Sequence, residues 1–244
     1  MFLKSLSFSF ILAVILFSYI DLTPAFSEPM SQKAQAAYEG IMQLSREAMQ
    51  SPKMTRSEFE RRLSSIMTGT DDDQKAAKAS AMVMFDTIEF VHENNEVESK
   101  FDYAQIFDGK RYKTKEDIVK QQQWLAQVNE ITAKTIKNSE HTSSRLEEEF
   151  KNAKVSATRI QSEVAAIKSR EIEVKDQTAH GLQRLKIKIA LNEVRIKALD
   201  FLAMTFGQWE FKDNFVFKNK SQFAQFESLR AEVTKQEVAF AKFH

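Results

Sequence analysis

RLEEEFKNAKVSATRIQSEVAAIKSREIEVKDQTAHGLQRLKIKIALNEVRIKALDFLAMTF, residues 145–206, is the stretch whose periodicity decides the fold. Leu146, Phe150, Ala153, Ala157, Ile160, Val164, Ile167, Glu171 and Val174 follow one another in alternating steps of four and three, the heptad rhythm of a coiled-coil seam. A second seam in the same rhythm runs through Leu182, Leu185, Ile189, Asn192, Ile196, Leu199, Ala203 and Phe206. Between them, Val174 to Thr178 to Leu182 makes two steps of four, so one residue is inserted into the phase. Two geometries fit. A single helix, locally unwound, would run for about 90 Å at ~1.5 Å per residue. A turn at Asp176–Gly181, with Gly181 as the helix C-cap, would face the two seams toward each other. The second segment also carries Ile187, Leu191, Val194, Phe201 and Leu202 off its seam, which predicts a central helix.

The rest of the chain supports long helices. Its three prolines all lie at or before Pro52, and it has five glycines, so few helix breakers remain. A hydrophobic fraction of 43% with 20 phenylalanines argues for a packed core over disorder. Gln32 to Gln50 carries one apolar face, and Ser51-Pro52 ends it. Thr55 with Glu58 is a capping-box signature for a short second helix ending near Gly69. Asp71, Asp72 and Asp73 cap a third, whose apolar patch through Met82, Phe85, Ile88 and Val91 predicts deep burial. These three acids lack the alternating oxygen spacing of a calcium loop. Between 99 and 114 the helical period fails around Asp108-Gly109, giving a loop or weak hairpin, and Thr114 with Asp117 restarts helix. The segment 138–144 is rich in small polar residues and is a site for a kink or break.

After Gly207 the period changes from about 3.6 to two. Trp209-Glu210-Phe211-Lys212 and Phe215-Val216-Phe217-Lys218 read as two strands around a two-residue Asp213-Asn214 turn. Such an aromatic hairpin can clamp a bundle end or present a surface to a partner. A last helix from about Ser221 places Phe226, Leu229, Val233 and Phe240 on one face.

The N-terminus carries an address. Lys4, the 15-residue apolar run Leu6–Ile20 and the small residues up to Ser27 have the three-part build of a secretory signal peptide. Cleavage falls after Ala25 or Ser27. A membrane-spanning helix needs about 20 apolar residues, so retention by an uncleaved anchor is the weaker reading. The chain has no cysteine and therefore no disulfide.

Net charge is +1, which is not a nucleic-acid-binding profile. Its distribution is uneven: residues 71–108 carry ten acids against three bases, and residues 151–197 carry eleven bases against five acids. Mutual neutralisation between packed helices accounts for this, and an anionic membrane surface meeting the basic stretch is the sharper alternative. No Gly-rich phosphate loop, serine elbow or cysteine nucleophile is present, and His92, His141, His180 and His244 form no pair at ligand spacing. Glu89-x-x-His92 is one match to the di-iron motif, where two are needed.

These observations predict an all-α fold: an elongated antiparallel helical bundle with long coiled-coil-like helices and a small aromatic β-hairpin near 208–218. The expected organisation is a signal peptide over 1–27 and a single helical domain over 28–244. Within it come short helices to residue 70, a buried helix over 71–98, a loop over 99–114, a long helical region over 115–206, the hairpin over 207–220 and a C-terminal helix over 221–244. The expected role is that of a non-catalytic exported interaction or scaffold protein of the bacterial cell envelope, periplasmic or secreted. It would need no cofactor or metal, and would associate with an envelope protein or with itself. A membrane-acting protein, or an enzyme whose site is assembled only by folding, are the alternatives. The candidate interaction surface is Trp209, Phe211, Phe215 and Phe217 on the hairpin, with Lys186, Lys188, Arg195 and Lys197 on the basic stretch.

Overall fold

The computed structural model describes residues 32–100, 102–173 and 175–242. The expected signal segment, Phe101, Val174, Phe243 and His244 lie outside the described residues. Among the described residues there are eight α-helices and one two-stranded antiparallel sheet, an all-α protein with a small hairpin. The helices are α1 (Gln32–Gln50), α2 (Arg56–Ile66), α3 (Asp72–Glu98), α4 (Lys115–Glu140), α5 (Thr142–Asn152), α6 (Ala157–Glu173), α7 (Lys175–Met204) and α8 (Lys220–Ala241). Strands β1 (Trp209–Phe211) and β2 (Phe215–Phe217) precede α8. Among the described residues, the segment expected as a single domain over 28–244 divides by its packing into two units, one up to residue 93 with 137–179 and one of 94–136 with 180 onward.

In the first unit, side-chain caps start the helices. Thr55 Oγ1 accepts from Glu58 N at 3.2 Å to open α2, and Asp71 Oδ1 accepts from Gln74 N at 2.9 Å to open α3. The near-continuous apolar patch of α3 has its reason in packing on two sides. Met82, Phe85 and Ile88 join Ile41, Leu44, Phe59 and Leu63, while Ala76, Ala79 and Val83 join Leu146, Phe150, Val155 and Ile160. Polar groups fasten the same elements: Asp86 receives Arg56 at 2.8 Å and Arg145 at 3.1 Å, and Arg159 approaches Asp73 at 3.2 Å. Asp86 thus meets bases outside the basic stretch 151–197, and Asp73 meets Arg159 inside it.

The regular first seam conceals a turn. The single helix considered from 145 stops at Asn152 and restarts at Ala157, so the long helical region expected over 115–206 consists of several helices. Lys154 takes a left-handed φ of 56°, its N–H bonds Lys151 O at 3.0 Å, and Val155 N bonds Phe150 O at 3.0 Å. This pair of bonds is a Schellman motif, sealed by the apolar contact of Phe150 with Val155. Ser156 then caps α6, with Arg159 N donating to its Oγ at 3.4 Å. A second break, at His141, falls inside the segment expected to kink. The turn considered at Asp176–Gly181 does not occur, because α7 runs unbroken from Lys175 through a buried Gly181.

In the second unit, α7 is the central helix. Leu199, Phe201, Leu202 and Ala203 pack with Ile118, Trp124, Leu125 and Val128 of α4, with the hairpin and with Phe226 of α8. Thr114 and Asp117 cap α4 reciprocally, Asp117 N donating to Thr114 Oγ1 at 3.3 Å and Thr114 N to Asp117 Oδ2 at 2.9 Å. The loop before α4 forms two short 3-10 turns, Tyr103–Gln105 and Gly109–Arg111, instead of a hairpin. Asn219 caps α8 by accepting from Ser221 N at 2.8 Å. Gly207 supplies a left-handed φ of 82° where the chain leaves α7 for β1.

The hairpin register differs by one residue from the two-residue turn expected at Asp213-Asn214. Trp209 faces Phe217, Glu210 faces Val216 and Phe211 faces Phe215. Side chains alternate along a strand, so this register sets all four aromatics on one face; a pairing of Lys212 with Phe215 would divide them between two. Burial of the aromatic face selects the longer loop.

Candidate functional site

The basic residues singled out on α7 do not form one surface. Lys186 and Lys197 are exposed, Lys188 is buried, and Arg195 is half-buried. Lys188 donates to the Glu98 carboxylate, and Arg195 pairs with Glu237 at 2.8 Å while its guanidinium lies 5.3 Å from the Tyr103 ring centroid. Between them Asn192, fully buried, donates to Asn129 Oδ1 at 2.9 Å. Lys188, Asn192 and Arg195 stand at i, i+4 and i+7, so they form one polar stripe on the inner face of α7. Burial pushes the Lys188 ammonium below its ordinary pKa against the opposing pull of Glu98, and burial pushes the Tyr103 hydroxyl above its own. The surface expected at Lys188 and Arg195 is therefore corrected: their charges are held inside the second unit by partners from other segments.

The hairpin aromatics divide in a similar way. Trp209, Phe215 and Phe217 are buried and Phe211 is half-buried. Phe226 of α8 is the hub, with ring centroids 5.0 Å from Phe215 and 5.3 Å from Phe217. Trp209 packs edge-on against Phe215 at 5.0 Å and donates its indole N–H to Leu202 O at 3.1 Å. Of the two roles open to the hairpin, these side chains perform the clamp, and the aromatic surface is corrected for Trp209, Phe215 and Phe217.

What the hairpin does offer is a shallow depression of about 460 Å³, lined by Gly109, Tyr112, Phe206, Trp209 and Phe211 with Lys110, Glu210 and Lys212 at its rim. The 3-10 turn Gly109–Arg111 lies against β1 so closely that a Cβ on Gly109 would strike the Phe211 ring. The Tyr112 hydroxyl is anchored on Ile106 O and raised in pKa by burial, so it is a structural wall and not an acid. Lys218 Nζ donates to the carbonyl oxygen of Gly207, another lining residue, at 3.2 Å. Aromatic walls beside lysine ammonium groups bind by packing and by attraction for carboxylates, except next to Glu210, whose own carboxylate repels them.

Of this site the sequence reading found Trp209 and Phe211 and missed Gly109, Lys110, Tyr112, Phe206 and Lys212 as lining. The signal available was Asp108-Gly109 amid aromatic residues: a glycine there permits the close approach to Phe211. Among the described residues no group of three or more histidine or acidic side chains is placed to hold a metal ion. None of the described helices is long and apolar enough to cross a membrane. No protein-family model, curated protein or solved structure matches the chain.

Proposed function

We propose that the chain is an exported, non-catalytic interaction protein of the bacterial cell envelope, and that the hairpin depression is its binding site. The observation that carries this reading is the lining itself: aromatic walls with Lys110 and Lys212 at the rim suit the holding of a partner segment. The three-part N-terminal sequence supports the address. Crosslinking the tagged chain in its native cells, with sequencing of the mature N-terminus from the same sample, tests both. Recovery of one defined envelope protein with a chain beginning near Phe26 or Glu28 is the expected result; an intact N-terminus with no crosslinked partner overturns it.

A second reading, contact with lipid, has its own support in Met204 at 71%, Phe223 at 43% and Phe206 at 36% exposure near the start and end of the hairpin segment. Leakage from vesicles of anionic lipid favours it; vesicles left intact at low and high salt count against it.

A further inference from the structure

The outer edge of β1 makes no backbone hydrogen bond to another element among the described residues, and we propose that it accepts an extended peptide as a third strand, with alternating apolar and acidic side chains. This rests on the interaction-protein reading above and names the chemistry of the partner. Lys218 N donates to Gln208 O at 3.0 Å and Lys212 N to Asn214 O at 3.2 Å. These bonds fix the alternation of the ladder: Gln208, Glu210 and Lys212 turn their backbone groups toward β2. Trp209 and Phe211 therefore turn theirs away, and among the described residues neither makes a backbone hydrogen bond outside the hairpin ladder. The depression lies beside that edge, since its lining joins residues 209–212 to Gly109, Lys110 and Tyr112.

Strand addition satisfies such an edge. Main-chain hydrogen bonds supply affinity, and the pleat sends alternate side chains of the incoming segment to opposite faces. A residue opposite Phe211 places its side chain on the aromatic face, over the depression, so an apolar group fits there. Its neighbour falls on the face of Glu210 and Lys212. Lys110 and Lys212 have no ion-pair partner among the described residues, whereas Glu210 repels an acid at its own end. An acid therefore seats beside Lys212. Lysines on an edge strand also deter unwanted pairing. A guard of that kind needs no adjoining cavity, and here there is one.

The test uses the full chain and three synthetic octapeptides in which valine alternates with aspartate, lysine or serine. Hydrogen exchange at the Trp209 and Phe211 amides is the site-specific readout. The expected result is slowed exchange at both amides with the aspartate peptide, and binding of that peptide weakened about five- to tenfold by Lys212→Glu, which in turn strengthens the lysine peptide. Lys110→Glu provides a second variant on a separate element, with circular dichroism confirming the fold of each. Unchanged exchange with all three peptides overturns the proposal, as does equal protection by aspartate and lysine peptides, or protection by anionic vesicles alone. If the edge stays unprotected while crosslinking in cells still recovers a partner, the strand-addition inference fails and the interaction reading survives; if both are silent, both fail.

Discussion

Lys188 of α7 donates to the carboxylate of Glu98 at the end of α3, with the ammonium withdrawn into the second unit and the carboxylate side chain 22% exposed. Removing one member of such a pair costs far more than the pair itself contributes, because the remaining charge stays desolvated. Glu98→Gln is expected to lower unfolding free energy by about 3 kcal/mol, the low end for a buried pair given that residual exposure. Adding Lys188→Met should restore most of the loss. Urea denaturation of the wild type, both single variants and the double variant measures this; a double variant as unstable as Glu98→Gln alone would contradict it.

The same lysine makes a signed prediction about pH. Burial lowers its folded pKa below the ordinary 10.5. Between the folded value and 10.5 the unfolded chain binds more protons at this site, so stability rises with pH across that window. The stability difference between wild type and Lys188→Met should therefore shift in favour of wild type as pH approaches 10.5. Tyr103, raised by burial, acts in the opposite sense but is common to both proteins and cancels in the comparison. A difference that stays flat across the alkaline range would show that Lys188 is not desolvated.

Phe226 is fully buried and receives the rings of Phe215 and Phe217. Phe226→Ala is expected to cost about 3–5 kcal/mol and to shift tryptophan emission to the red as Trp209 loses its cover. Val216, half exposed on the opposite face, should tolerate alanine within about 0.5 kcal/mol. Similar losses for the two variants would mean that the hairpin does not clamp the core.

Lys154 occupies the left-handed position of its Schellman motif, where glycine carries no Cβ penalty. Lys154→Gly should stabilise the first unit by about 0.5–1 kcal/mol net of the added freedom of the unfolded chain. Thermal melting read against Lys154→Ala, which keeps the Cβ, isolates the backbone contribution. A melting point unchanged or lowered by glycine would place the strain elsewhere.

Helix identity was legible wherever local chemistry acts alone: Thr55 with Glu58, Thr114 with Asp117 and Ser51-Pro52 each mark a boundary near where the structure has it. The turn at 153–156 was hidden because its apolar seal, Phe150 with Val155, sits in a run whose heptad spacing continues across the break. Lysine also stands where glycine ordinarily announces a helix end. Asn192 belongs to the seam and is buried with it, whereas Lys188 and Arg195 read as a solvated basic stretch, and only the arrival of Glu98 and Glu237 makes their face internal. The hairpin was legible from its period-two aromatics, but its register depended on Phe226, which lies outside it in α8. The depression was least legible, since it joins residues 109–112 to 206–212.

Each unit is assembled from two stretches of chain that are far apart in the sequence. Leu146, Phe150, Val155 and Ile160 complete a core begun by Ala76, Ala79 and Val83, and Phe226 completes one begun by Ile106 and Ile118. During synthesis, the first core therefore remains open until residue 160 has been made, and the second until residue 226. Contacts of such long separation also slow their own formation. The core that ends at Ile160 can therefore close while the one that needs Phe226 still lacks α8.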